Sequence, residues 1–416
     1  MADTTPSLQA PETLPALLEE ERRQTGVAFD LLSPEIRTNP YPLFHALRTK
    51  DPVHWSSVLG AWLLTRYQDV QTFIRQPGLS KDFRQARRGP LGNTGLADMA
   101  GEAQSMLRAD PPKHTRLRSL VSKAFTPRAV EALRPRIQSI AEELLDVVDG
   151  EDTFDLMRDF ADPLPVIVIA ELLGVSPEDR EQFKAWSTDL VLGLGAFSSA
   201  EVRARREAAN AQLVDYFRGV AQERRHHPRA DLISALLAAE EAGDRLTEQE
   251  FLATCVLLLV AGNETTTNLI GNGMLALLQH PEQVRLLQGD AALIGQAVEE
   301  LLRFDSPVQL FQRVTTTDVE IADTRIEPGT MVIPLLGAAN RDPAVFDNPD
   351  ALDITRTGAS HLSFGHGIHY CLGASLARTE ASIAIPTLLR RFPHLGLAPA
   401  PPERRPSLAL RGLRTL

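Results

Sequence analysis

The chain has 416 residues, 43% of them hydrophobic and 23% charged, with a formal net charge of −11. Length alone permits two or three domains and a large core, and the composition excludes a disordered chain. The acidic balance argues against nucleic acid as a partner, which needs a basic face, and against broad attachment to an anionic membrane.

In chain order, residues 1 to about 26 are rich in Pro, Thr, Glu and Arg, without the apolar stretch of a signal peptide or membrane anchor. They read as a flexible tail over residues 1–27, ahead of one domain over residues 28–416. Pro52 to Tyr67 reads as a β-hairpin, with Val53-His54-Trp55 and Trp62-Leu63-Leu64 flanking Gly60. Thr126-Pro127 is an N-cap with proline at the first helical position, and Val130, Leu133, Ile137, Ile140, Leu144 and Val148 follow at helical spacing until Gly150. Thr247 and Glu250 have capping-box spacing, and the helix they open can run to Gln279, just before His280-Pro281. So long a helix is expected to cross the whole domain. Val314 to Leu336 reads as a second β region turning at Glu327-Pro328-Gly329. No repeat and no low-complexity linker divides the chain. The fold class is therefore mainly α with a small β lobe, a single domain built on a long central helix. Both cysteines, Cys255 and Cys371, fall in segments read as buried, so a disulfide framework is not expected and a reducing cytoplasm fits. The longest apolar run, Val256 to Gly262, is too short to span a bilayer, which points to a soluble protein.

The segment richest in chemistry is Phe364-Gly365-His366-Gly367-Ile368-His369-Tyr370-Cys371-Leu372-Gly373. Glycines on both sides of Cys371 allow a tight turn and a close approach to a flat ligand. The run Leu372 to Leu389 has helical spacing, so the sulfur lies at a helix start, where free amides and the dipole favour a thiolate. A thiolate on haem iron donates electron density that promotes O–O cleavage. A buried structural cysteine is the bland alternative. Zinc is another, with His361, His366 and His369 nearby, but no C-x-x-C pair supports it.

This segment resembles the haem-binding loop of the cytochrome P450 family, and every fixed position of that pattern matches. Glu300-Leu301-Leu302-Arg303, by itself a common helical ion pair, resembles the family's Glu-x-x-Arg motif, with Arg356 in the place of its third member. The resemblance implies a scaffolding role for all three. Ala261-Gly262-Asn263-Glu264-Thr265-Thr266 on the long helix is costly inside an apolar helix unless it is used. It resembles the family's oxygen-activation groove, where the helix is locally opened over the haem, Thr265 holds oxygen and Glu264 takes part in proton delivery. His114 and Arg118, four apart on one helical face, together with Arg313 and His361, match positions from which the family binds haem propionates. The resemblance thus implies haem b with an axial thiolate from Cys371, cradled by Ala261, Phe364, Gly365, His369 and Gly373 besides the propionate set.

The same resemblance places substrate-lining residues at Leu257, Ala261, Val308, Leu310 and Leu408, and their apolar character fits a hydrophobic small molecule. A terpenoid, fatty acid, polyketide or aromatic metabolite, hydroxylated or epoxidised with O2, is the expected substrate. Arg84, Arg87 and Arg88 lie in the first substrate segment and are candidates for an anionic group on it. With no reductase, flavin or iron–sulfur motif in the chain, two electrons are expected from a ferredoxin or flavodoxin with its reductase. Lys113, Arg116, Lys123 and Arg378 are the candidate docking patch. A peroxygenase or an oxidative coupling or rearrangement enzyme is a second reading, and a non-catalytic haem-binding protein a third; the Glu264-Thr265 pair argues against the last.

Overall fold

The computed structural model describes residues 13–30, 33–87, 105–192, 199–241, 246–405 and 407–416. The fold grows around one helix whose start is fixed locally. Glu250 N–H donates to Thr247 Oγ1 at 3.2 Å, and Thr247 N–H donates to the Glu250 carboxylate at 3.0 Å. Two otherwise unpartnered amides of the first turn are satisfied this way. The helix runs Glu248–Gln279, 32 residues, and stops at His280 because Pro281 follows. It is buried on nearly every face, and a helix of that kind needs a jacket. Helices Pro163–Leu173, Arg180–Leu192, Ala200–His226, Ile294–Phe304 and Ala374–Arg391 supply it. The Thr126 cap also forms, opening Pro127–Asp146, which packs along Ala374–Arg391. Among the described residues no helix is long and apolar enough to cross a membrane.

The β lobe contains both regions read from the sequence. Strands β1 (Val53–Ser56), β2 (Ala61–Leu64), β3 (Leu79–Ser80), β4 (Arg313–Thr315) and β7 (Met331–Pro334) form one sheet in the order β1-β2-β7-β4-β3. The β2–β7 pair is parallel and the other pairs are antiparallel. A separate hairpin joins β5 (Val319–Ile321) to β6 (Thr324–Ile326) through Ala322 and Asp323, both at positive φ, so Glu327-Pro328-Gly329 links β6 to β7 instead of closing the main turn.

The expected tail over residues 1–27 differs in its described part, residues 13–27, while residues 1–12 lie outside the described residues. Residues Leu14–Thr25 form a helix that buries Leu14, Leu18 and Glu21. The Glu21 carboxylate, 1% exposed, accepts from Phe29 N–H at 2.9 Å, Val58 N–H at 3.1 Å and Ser56 Oγ at 3.1 Å. A buried carboxylate with this many donors pins the segment to β1.

The acid–base pair at Glu300 and Arg303 is buried and bidentate, at 2.7 and 2.8 Å, and Arg356 Nε closes on the same carboxylate at 3.1 and 3.2 Å. Arg303 also donates to the carbonyls of Asn340, Pro349 and Ala351. Ser363 Oγ donates to Leu302 O at 2.7 Å, and Leu362 N–H donates to Asn340 Oδ1 at 2.7 Å. The network therefore ends at the residue preceding Phe364, and fixes where the cysteine loop begins.

Candidate active site around Cys371

The cysteine loop turns on Gly365 and Gly367, at φ of 68° and 72°, a region that side chains disfavour. Cys371 N–H donates to Phe364 O at 2.9 Å, and helix Ala374–Arg391 starts three residues later. Burial pushes the Cys371 thiol up, while the Gly373 amide, Arg118 and Arg378 pull it back down. The helix start alone therefore does not secure the thiolate; a metal on the sulfur would. Cys255 lies fully buried in the long helix, and burial drives its thiol far above the ordinary range.

Cys371 opens onto a cleft of about 300 Å³ between the long helix and the Ala374–Arg391 helix. Of the residues expected there, His114, Arg118, Leu257, Ala261, Thr265, Val308, Arg313, Phe364, Gly365, His369 and Gly373 line it. One end is cationic. Arg313 is buried, and desolvation lowers its guanidinium to about 9. His114 is buried with both ring nitrogens unpartnered, and its ring lies 4.2 Å from that of His369. Burial, with Arg313 and Lys81 close by, drives His369 down to about 2, so it stays neutral. Buried donors without acceptors are costly in a folded protein. A flat macrocycle carrying two carboxylates at one edge and a metal in reach of a cysteine fits this donor set.

Several of the expected residues lie elsewhere. His361 does not line the cleft: its Nε2 sits 3.2 Å from Glu299 Oε2, and its Nδ1 accepts from Ser363 N–H at 3.1 Å. Leu310 and Leu408 also miss the cleft and pack in the β-lobe core with Phe44, Ile333 and Leu335. Leu310 forms a β-bridge to Leu335, which turns its side chain inward, and Phe311 faces the cleft in its place. Arg84 is held bidentate by Asp82, and Arg87 pairs with Glu327 at 2.7 Å; both are exposed and neither lines the cleft. Arg88 lies outside the described residues. The long helix is unbroken through Ala261–Thr266, and Thr265 Oγ1 donates back to Ala261 O at 2.9 Å. Glu264 points away from the cleft. Arg405 Nη1 binds both its oxygens at 2.7 Å, and Arg405 Nη2 reaches Asp162 at 2.8 Å. Lys81 and Phe311 also line the cleft, and both fall inside segments that the resemblance assigns to the substrate pocket, about Ser80 to Met106 and Val308 to Gln312. Sequence reasoning missed Ile169 and Glu380, and only its nearness to the cysteine loop could have flagged Glu380.

Of the proposed docking cations, Arg116 and Lys113 reach Glu250 at 2.6 and 3.7 Å, and Arg378 reaches Glu299 at 2.6 Å. Lys123 is exposed.

A cysteine on a glycine-turned loop, facing a cation-ended cleft under a continuous helix, defines the class of haem-thiolate proteins. The sequence model of the cytochrome P450 family matches residues 62–411. The chain is 44% identical to the biotin biosynthesis cytochrome P450 of Bacillus subtilis over 94% of this chain and 98% of that one. It is 46% identical to the vitamin D(3) 25-hydroxylase of Pseudonocardia autotrophica, over 92% and 94%. A solved structure of P450BioI in complex with hexadec-9Z-enoic acid ligated acyl carrier protein superposes with a TM-score of 0.85 at 42% identity, covering 92% of this chain and 99% of that one. The chain belongs to the cytochrome P450 family. It is a monooxygenase that binds haem b through an axial thiolate and acts on a hydrophobic substrate.

Proposed function

We propose that Cys371 is the iron ligand and that the chain hydroxylates or epoxidises a hydrophobic metabolite entering over Leu257, Ala261, Val308 and Phe311. The observation that carries this reading is the exposure of the Cys371 loop to an apolar cleft whose far end is cationic. When bound, haem b supplies O2 activation: two electrons and two protons place one oxygen atom in the substrate and release the other as water. Arg118, Arg313 and His114 hold the carboxylate edge of the haem. Thr265, with its own proton donated to Ala261 O, presents oxygen lone pairs to the cleft and accepts hydrogen bonds there. Glu264 is tethered behind the helix by Arg405, and its release from Arg405 would let it take up a proton from water and pass it on beside Thr265.

Fatty acids, terpenoids, polyketides and aromatic metabolites all suit the apolar lining. Electrons come from a small ferredoxin or flavodoxin with its reductase, in the cytoplasm. Its docking face is centred on the exposed Ile368 and Tyr370 beside Cys371, with Lys123 at the rim. The other three candidate cations are already paired with Glu250 and Glu299, so they contribute less to the patch.

The test is the spectrum of the reduced protein under carbon monoxide. A red-shifted, thiolate-type Soret band is expected for the wild type, and Cys371→Ser is expected to abolish it. A wild-type spectrum without that band overturns the assignment. Optical titration of the ferric protein with each metabolite class then ranks substrates by the shift in spin state.

A further inference from the structure

We infer that Lys81 is a carboxylate-binding residue of this cleft and takes part in holding the haem carboxylates, an inference that rests on the haem-thiolate reading above. Lys81 follows β3, is 8% exposed and lines the cleft with Arg118 and Arg313. Its Nζ sits 5.5 Å from the centroid of Phe311, and the Arg313 guanidinium sits 4.5 Å from the same ring. Two buried cations thus converge on one aromatic side chain. Among the described residues no ion pair or hydrogen bond reaches the Lys81 ammonium, and Arg313 hydrogen-bonds to Gln312 O at 2.9 Å without an acidic partner.

The nearby carboxylate is already engaged. Asp110 accepts from Lys81 N–H at 2.9 Å and from Ser80 Oγ at 2.5 Å. Burial, with Arg313 and Arg108 adding to it, holds the Lys81 ammonium far below its ordinary range. A buried amine that lacks a counterion gives up its charge, and it regains that charge when an anion settles beside it. Lys81, Arg118 and Arg313 line the cleft together, with Asp110 close to Lys81 and Arg313, and haem b would bring two carboxylates to this end.

A carboxylate could also arrive on the substrate, and the experiment separates the two sources. Ferric wild type, Lys81→Met, Lys81→Gln and Lys81→Arg are compared in two ways. One is the rate of haem transfer to excess apomyoglobin. The other is spin-state titration with a long-chain acid and its methyl ester. Lys81→Met and Lys81→Gln are expected to lose haem roughly 10- to 100-fold faster, the range for losing a hydrogen bond to a charged group. Lys81→Arg is expected to stay near wild type, and the ratio of acid to ester affinity to stay unchanged in all three. Equal haem loss in wild type, Lys81→Met and Lys81→Gln overturns the inference. Unchanged haem loss with an altered acid-to-ester ratio assigns the site to the substrate's carboxylate and overturns the haem source. A wild type that holds no haem refutes the underlying reading instead, so the two failures are distinguishable.

Discussion

Thr265 faces the cleft with a hydroxyl whose proton is already committed to Ala261 O at 2.9 Å. Removing that hydroxyl leaves the cleft walls intact but deletes the alcohol next to Glu264, while Thr266 still lines the cleft. Thr265→Ala is expected to keep the haem and the substrate-induced spin shift while losing coupling. Product formed per reducing equivalent should fall at least about tenfold, the lower range for positioned proton transfer being larger still, with hydrogen peroxide made instead. Parallel assays of product and peroxide check it, and full coupling in the variant would remove Thr265 from the mechanism. Glu264 belongs to a different measurement. Burial raises its carboxyl against the opposing pull of Arg405. Glu264→Gln should slow turnover and enlarge the solvent deuterium isotope effect, whereas a merely structural role would leave that effect unmoved. At this scale the sequence was legible where residues sit in a spaced pattern, as Cys371, His114 and Arg118 do. It was opaque where tertiary contact decides direction. Nothing in the order Val308 to Arg313 says that Leu310 bridges to Leu335 while Phe311 turns to the cleft. Nor does it say that Glu264 finds a partner 141 residues away in Arg405.

The Ile294–Phe304 and Ala374–Arg391 helices position the cysteine loop by different means. The first supplies a buried ion pair, at 2% exposure on both side chains, whose carboxylate also takes Arg356 and Asp353 N–H. Glu300→Ala leaves two arginines facing an empty acceptor site, and breaking a buried pair by removing one partner costs about 3–5 kcal/mol. The melting temperature should drop, and haem content should drop with it because Ser363 is anchored through the same network. A variant with wild-type stability would show that Arg303 is held by the three backbone carbonyls alone. The second helix carries Glu380, fully buried, with Oε2 unpartnered and its carboxyl raised well above the ordinary value by burial. For a group with a raised folded value, the native state binds more protons than the unfolded chain. Stability is greatest below the unfolded value, about 4.3, and declines as pH rises toward the folded one. Glu380→Gln should therefore melt higher than the wild type at neutral pH, with the gap closing toward acid. A constant gap across pH would mean that the gain is packing alone. Helix ends with local chemistry were readable, as Thr247-Glu250 and Thr126-Pro127 show. The Leu14–Thr25 helix was not, because its apolar face is short and its anchor, Glu21, looks like any surface acid until Phe29, Ser56 and Val58 close on it.

The molecule joins a large helical core to a smaller β lobe, and the cleft lies between them, lined by Leu269 and Leu376 from the first and Leu336 from the second. Haem held in this cleft would bridge two cores as well as serve the chemistry. The amino-terminal helix is fastened to the far side of the β lobe by a relay with no role in the cleft. His54, fully buried in β1, lies 3.3 Å from Glu21 Oε2 through Nε2 and 2.9 Å from Asp51 Oδ2 through Nδ1. Burial alone would lower the imidazole, but the two carboxylates outweigh it and its folded value is raised. A raised histidine contributes stability that is complete below its unfolded value, near 6.5, and is lost as pH climbs through the folded one. Alkaline pH should thus loosen the clamp on the Leu14–Thr25 helix before it touches the haem. Proteolysis near Gly26 should accelerate above about pH 6.5 while the carbon monoxide spectrum stays constant. His54→Gln should cleave at a rate that varies much less with pH, because the titrating group is gone. If wild-type cleavage is flat across that range, or if the haem spectrum changes together with it, the clamp does not open on its own and the two lobes respond to pH as one body.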